Sequence, residues 1–73
     1  MDARWIHKRM RGIEPTMRLE LRAGTQGHGR VLGAAEYWTM SNKSMDEADR
    51  LCQRIEDDAR ADGYTILPDA ETF

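Results

Sequence analysis

Apolar and polar residues alternate without a break through Met17-Arg18-Leu19-Glu20-Leu21-Arg22. That period of two puts Met17, Leu19 and Leu21 on one face of a half-buried strand and Arg18, Glu20 and Arg22 on the other. Gly24-Thr25-Gln26-Gly27-His28-Gly29 is rich in turn formers. Beyond it, residues 30–40 predict a second strand with Val31, Ala35 and Tyr37 inward. Leu32, Ala34, Glu36, Trp38 and Met40 then share the outer face with Arg18 and Arg22, and the two strands make an antiparallel hairpin.

Farther on the period lengthens to three and four. Met45, Ala48, Leu51, Cys52, Ile55 and Ala59 form one apolar stripe, which predicts an amphipathic helix over residues 45–62. Ser44-Met45-Asp46-Glu47 fits the Ser-x-x-Glu capping box and sets two acids at the positive end of the helix dipole. Gly63 supplies the stop, and residues 64–67 read as a short strand closed by Pro68. At the N-terminus, Asp2 can cap a short helix ending at Gly12, or Trp5, His7, Arg9 and Arg11 can alternate along a strand; the strand is preferred. Pro15 belongs between elements or at a strand start. The sum is one small α+β domain over residues 1–73, of order β-β-β-α-β. In it a small antiparallel sheet of three or four strands carries one amphipathic helix on one face.

Composition limits the core. Val, Ile and Leu number ten among 73 residues, joined by five Met, two Trp, two Tyr and one Phe. A domain this small buries a modest fraction of its surface, so stability shared with a second copy, as a homodimer, is an expectation. No apolar run approaches the ~18–20 residues of a membrane span, and charge interrupts the N-terminus where a signal peptide carries its apolar stretch. The single cysteine, Cys52, has no internal disulfide partner. A cytoplasmic protein without membrane contact is expected.

The net charge of −2 hides a division: residues 1–43 hold eight Lys and Arg against four Asp and Glu, residues 44–73 three against nine. Such asymmetry points to a charged partner, or to two halves that attract each other within the fold.

Candidates for chemistry are few. His7 and His28 stand in no pattern that pairs them with a nucleophile or a metal, and Cys52 lies on the apolar stripe as a small hydrophobe. Three Cys and His residues scattered at 7, 28 and 52 do not make a zinc site. The glycine-rich segment joins two strands and lacks Gly-Lys-Ser/Thr, so it reads as a hairpin loop and not as a phosphate loop. No enzyme, no cofactor and no metal is expected.

Two resemblances of element order accompany this. The strand, Ser-rich turn, Asp-Glu-Ala-Asp-Arg-Leu helix, Gly-Tyr and strand of residues 37–67 resemble half of a peptidoglycan-binding SPOR repeat, over less than half of the chain. Three strands before a C-terminal helix resemble the arm-type DNA-binding domains of phage integrases.

Two binding functions follow. The first is a non-catalytic protein-binding module, a small inhibitor of the phage-encoded anti-CRISPR kind. It would meet a partner with a basic surface through Asp46, Asp49, Glu56 and Asp57 on the helix and through Arg18, Arg22 and Trp38 on the sheet, with Trp5 beside them. The alternative is nucleic-acid binding by the basic half, with Arg4, Lys8, Arg9, Arg11, Arg18, Arg22 and Arg30 on phosphates and Trp5 or Trp38 stacked on bases.

Overall fold

The strict alternation over residues 17–22 becomes the middle strand of a sheet. The structure, a computed structural model, describes residues 1–12 and 16–68 and the backbone of residues 71 and 72; Pro15 lies outside them. β1 (Asp2–Arg9), β2 (Thr16–Ala23) and β3 (Val31–Trp38) precede the helix α1 (Asn42–Ala61), and β4 (Thr65–Ile66) and β5 (Glu71–Thr72) follow it. The strands lie in the order β3-β2-β1-β4, with β5 also on β1. The N-terminal segment is thus a strand, and the α+β order β-β-β-α-β holds, with the two-residue β5 added after it as a fifth strand.

The sheet is mixed where an antiparallel one was expected. β1, β2 and β3 pair antiparallel in turn, but β4 and β5 run parallel to β1. The cause is the return stroke of α1. β3 points the same way as β1, the helix carries the chain back, and the next strand must again run with β1, as crossover connections do.

One face of the sheet packs on the helix. Cross-strand rows Trp5-Leu21-Gly33 and His7-Leu19-Ala35 lie on this side. Ala3, Leu21 and Ala59 form the buried cluster, with Trp5, Leu32, Ile55, Tyr64 and Ile66 packed around it. Ala3, Gly33, Ala35 and Ala59 are small, so the helix comes close to the sheet at these positions. Gly33 permits it: a Cβ there would stand 2.6 Å from Ile55 Cγ2 and 2.8 Å from Cγ1. The apolar stripe of α1 faces this gap, with Ala48 and Ala59 buried, Met45, Cys52 and Ile55 half-buried, and Leu51 left exposed. No helix among the described residues is long and apolar enough to cross a membrane.

Two local expectations are corrected. The helix is capped at Ser41, whose side chain accepts from Ser44 N at 3.2 Å, three residues before the expected cap. Ser44 Oγ instead accepts from Trp38 N at 2.9 Å, tying the helix to the end of β3. A turn closed by Ser41 N donating to Trp38 O brings Ser41 into capping position first, so Asp46 and Glu47 fall beyond the first turn. At the other end the stop at Gly63 is as expected, with Gly63 N donating to Arg60 O and Tyr64 N to Ala59 O, the bond pair of a Schellman motif.

The second correction concerns the start of β3. Leu21 pairs with Gly33 but Arg22 pairs with Val31, so the register shifts and Leu32 is the additional residue. Such a bulge exchanges the faces on its far side. Leu32 therefore packs on the core and Val31 is exposed, the reverse of simple alternation, while Ala35 and Tyr37 point inward and Glu36 and Trp38 outward as expected.

The close seating of α1 on β3 generates a test. Gly33→Ala is expected to destabilise the fold by about 1–3 kcal/mol through overpacking against Ile55. Urea unfolding checks it, and Ile55→Val in the same chain should recover part of the loss. Equal stability of Gly33→Ala and the wild type would contradict this seating.

Candidate functional site

The face of the sheet turned away from the helix is built by the polar half of each strand's alternation. Register sets Arg4 beside Arg22, Ile6 beside Glu20 and Ala34, Lys8 beside Arg18 and Glu36, and Thr16 beside Trp38. Successive same-face residues of β2 put Arg18 and Arg22 on either side of Glu20. β1 adds Lys8 from the next strand.

Glu20 lies at the centre, and only 5% of it is exposed. Its carboxylate accepts from Arg18 Nε at 2.7 Å and Arg22 Nε at 2.8 Å, and Lys8 Nζ stands at 3.1 Å. Arg18 also donates from Nη1 to Glu36 at 2.9 Å. The Arg18 hydrogen bond, helped by those of Arg22 and Lys8, outweighs burial and pulls the Glu20 carboxyl from 4.5 down to about 2. The same contacts push the Arg18 guanidinium up. A buried carboxylate left alone would cost several kcal/mol; three cations around it offset that cost and are themselves held in place.

The loop after β2 folds back over this face. Gly24 N donates to Asp2 O, Arg4 Nε to Thr25 O and Arg22 Nη1 to Gly29 O. Gly27, at φ +68, rests on Ile6, where a Cβ would meet Ile6 Cδ1 at 2.6 Å. Glycine is required there twice, for the backbone and for the contact. Ile6 is thereby buried although it belongs to the charged face. Beside it lies a basin of about 380 Å³ lined by Ile6, Lys8, Arg22, Gly27 and His28.

Trp38 stands on the same face at the end of β3, one row beyond Arg18 and Glu36, and 50% of it is exposed. Arg9 and Arg11, in and just after the end of β1, are exposed at the same end of the sheet. The arrangement presents four cations, Arg4, Lys8, Arg18 and Arg22, against Asp2, Glu20 and Glu36, with an indole at the margin. The contacts of Arg18 and Arg22 use Nε and Nη1 of each, which leaves Nη2 for an anionic ligand.

Arg18, Arg22 and Trp38 are thus brought together. The acids Asp46, Asp49, Glu56 and Asp57 lie on α1, on the opposite side of the sheet. Asp46, Asp49 and Asp57 are exposed, with Asp57 3.5 Å from Arg60. Glu56 is half-buried; it accepts from Trp5 Nε1 at 2.6 Å and pairs with Arg60 at 3.2 Å. Trp5 therefore belongs to the helix side and not to the outer face. The organising parts that sequence reasoning overlooked are Glu20, Ile6 and Gly27. The run Arg18-x-Glu20-x-Arg22 was a visible signal for the first; nothing local pointed from Gly27 to Ile6.

A second cleft, of about 290 Å³, opens between sheet and helix and is lined by Trp5, His7, Leu19, Tyr37, Met45, Asp49 and Cys52. Burial, with Asp49 and Glu56 nearby, pushes the Cys52 thiol up to about 11, so it is a poor nucleophile near neutral pH. Among the described residues no three His, Cys, Asp or Glu are grouped to hold a metal ion.

The Glu20 cluster makes stability depend on acid. A carboxyl lowered on folding contributes stability that is present above its unfolded value and is lost as pH falls from about 4.5 towards about 2. Glu20→Gln is expected to cost about 2 kcal/mol at neutral pH, below the usual figure for a fully buried pair because the cations stay partly solvated. It should also flatten the acid limb of the stability curve, read by urea melts at stepped pH; an unchanged limb would rule out Glu20 as its source. Compared with protein-family models, curated proteins and solved structures, the chain finds no significant match in any of the three.

Proposed function

We propose that the protein is a non-catalytic binding module that grips a nucleic-acid backbone with the outer face of its sheet. The observation that carries this reading is the gathering of Lys8, Arg18 and Arg22 around Glu20, with Arg4 on the same face and a half-exposed Trp38 at its margin. Phosphates suit the unused guanidinium nitrogens, and bases supply a π-face for the indole. The basin between Lys8, Arg22 and His28 adds room for an anionic group.

The net charge of −2 does not oppose this, because α1, behind the sheet, carries six Asp and Glu against four Lys and Arg, so that side is net negative and would turn away from a polyanion. Orientation is then set before contact, by the unequal potential of the two sides.

The inhibitor reading, an acidic helix set into a partner's basic surface, draws less support. Its acids share α1 with Lys43, Arg50, Arg54 and Arg60, and Glu56 is engaged by Trp5 and Arg60. On the sheet face, by contrast, Arg18 and Arg22 each keep Nη2 unengaged among the described residues.

Fluorescence anisotropy of labelled single- and double-stranded DNA and RNA, at low and physiological salt, tests the proposal. Binding should fall steeply with salt, and Lys8→Gln and Arg22→Gln should each lower the salt slope by about one phosphate contact. Trp38→Ala should weaken single-strand binding by about 1–3 kcal/mol, while Asp46→Asn and Asp49→Asn leave it unchanged or stronger. Absence of binding at low salt, or binding insensitive to the sheet variants, would overturn the reading.

A further inference from the structure

The two edges of the sheet are finished differently. The β1 edge is covered by the short parallel strands β4 and β5. β3 is the last strand on the other side, eight residues long and of sequence Val-Leu-Gly-Ala-Ala-Glu-Tyr-Trp. It holds no Lys and no Pro, and its bulge lies at the Val31 end, which leaves residues 33–38 as a regular open edge. One of its donors, Trp38 N, is taken by Ser44 Oγ.

Exposed apolar side chains gather along the same flank. Val31 is 39% exposed and Trp38 50%, at the two ends of β3, and Met40, just beyond, is 85% exposed. Leu51 on α1 is 40% exposed. It stands seven residues, two turns, from both Ser44 and Asp58 along one row of the helix. Ser44 bonds to the end of β3, and Asp58 lines a cleft with Val31 and Leu32, so Leu51 between them overhangs the middle of the same strand.

We infer that this flank is a two-fold interface between copies of this chain, with β3 antiparallel to the partner's β3 and α1 beside the partner's α1. Charge selects a second copy as the occupant. Along the strand, Arg30 precedes β3 and Glu36 lies near its far end; along the helix, Arg54 and Glu47 flank Leu51. Because α1 runs antiparallel to β3, Glu36 and Glu47 lie towards the Trp38 end and Arg30 and Arg54 towards the Val31 end, and farther out on the same helix row Lys43 and Asp58 continue a self-complementary pattern. Antiparallel pairing about a two-fold axis therefore sets acid against base in both layers and Leu51 against the partner copy's Leu51, whereas parallel pairing would set like on like. The sheets join into one, and their outer faces become continuous.

Sedimentation velocity of the full chain, without ligand, tests this apart from nucleic-acid binding. The wild type is expected at twice 8.4 kDa in the micromolar range. Leu51→Glu, at an exposed position, should yield monomer with unchanged circular dichroism. Glu47→Arg should weaken the dimer about tenfold, and Glu47→Arg with Arg54→Glu should restore it. This charge swap decides the matter should Leu51→Glu fail to fold. A wild-type monomer at every concentration, or a dimer indifferent to the swap, would overturn the inference.

Discussion

The Glu20 carboxylate, closed in beneath Lys8, Arg18 and Arg22, is the constraint on which the outer face depends. An anion is taken out of water there, and its desolvation is offset only because three donors converge on two oxygens. Side chains as long as Arg and Lys ordinarily lose entropy when fixed, which makes exposed ion pairs weak. Here one buried partner fixes several at once. The consequence is a set of cations whose positions are settled before any ligand arrives, the condition under which charge contributes most to recognition.

That face exists because the two halves of the chain form different layers. The basic half supplies β1, β2 and β3; the acidic half supplies α1. The prominent pairs stay within a layer, Arg18 and Arg22 with Glu20 in the sheet and Arg60 with Glu56 in the helix. Contact between layers is made by Leu21, Leu32 and Ile55 together with small residues at Gly33, Ala35, Ala48 and Ala59, and by the Trp5 indole bonded to Glu56. The sandwich is held by close approach, and its charged surfaces are left to point in opposite directions.

Much of this was legible in the chain. The period of two over residues 17–22 fixed which residues of β2 face the helix, and the stripe from Met45 to Ala59 fixed the face of α1, because both signals depend only on burial of one side. What failed to show depended on contacts between distant segments. Ser44 has the better local capping pattern, yet its hydroxyl is recruited by Trp38 N and Ser41 takes the cap. The bulge at Leu32 reverses the faces of β3's first residues, and nothing in the local pattern announces it. Of the candidate site, Arg18, Arg22 and Trp38 were found from alternation alone. Glu20's burial and the seating of Gly27 on Ile6 arise only once the loop has folded back.

The central claim is that the outer sheet face, and no other surface, receives the ligand. Amide and indole chemical-shift mapping of the labelled protein, titrated with a short oligonucleotide, addresses this most directly. The account predicts shifts confined to Lys8, Arg18, Arg22, the Gly27–His28 turn and the Trp38 indole, with α1 silent. Shifts centred on Asp46, Asp49 and Asp57, or within the cleft lined by Trp5, Tyr37 and Cys52, would contradict it.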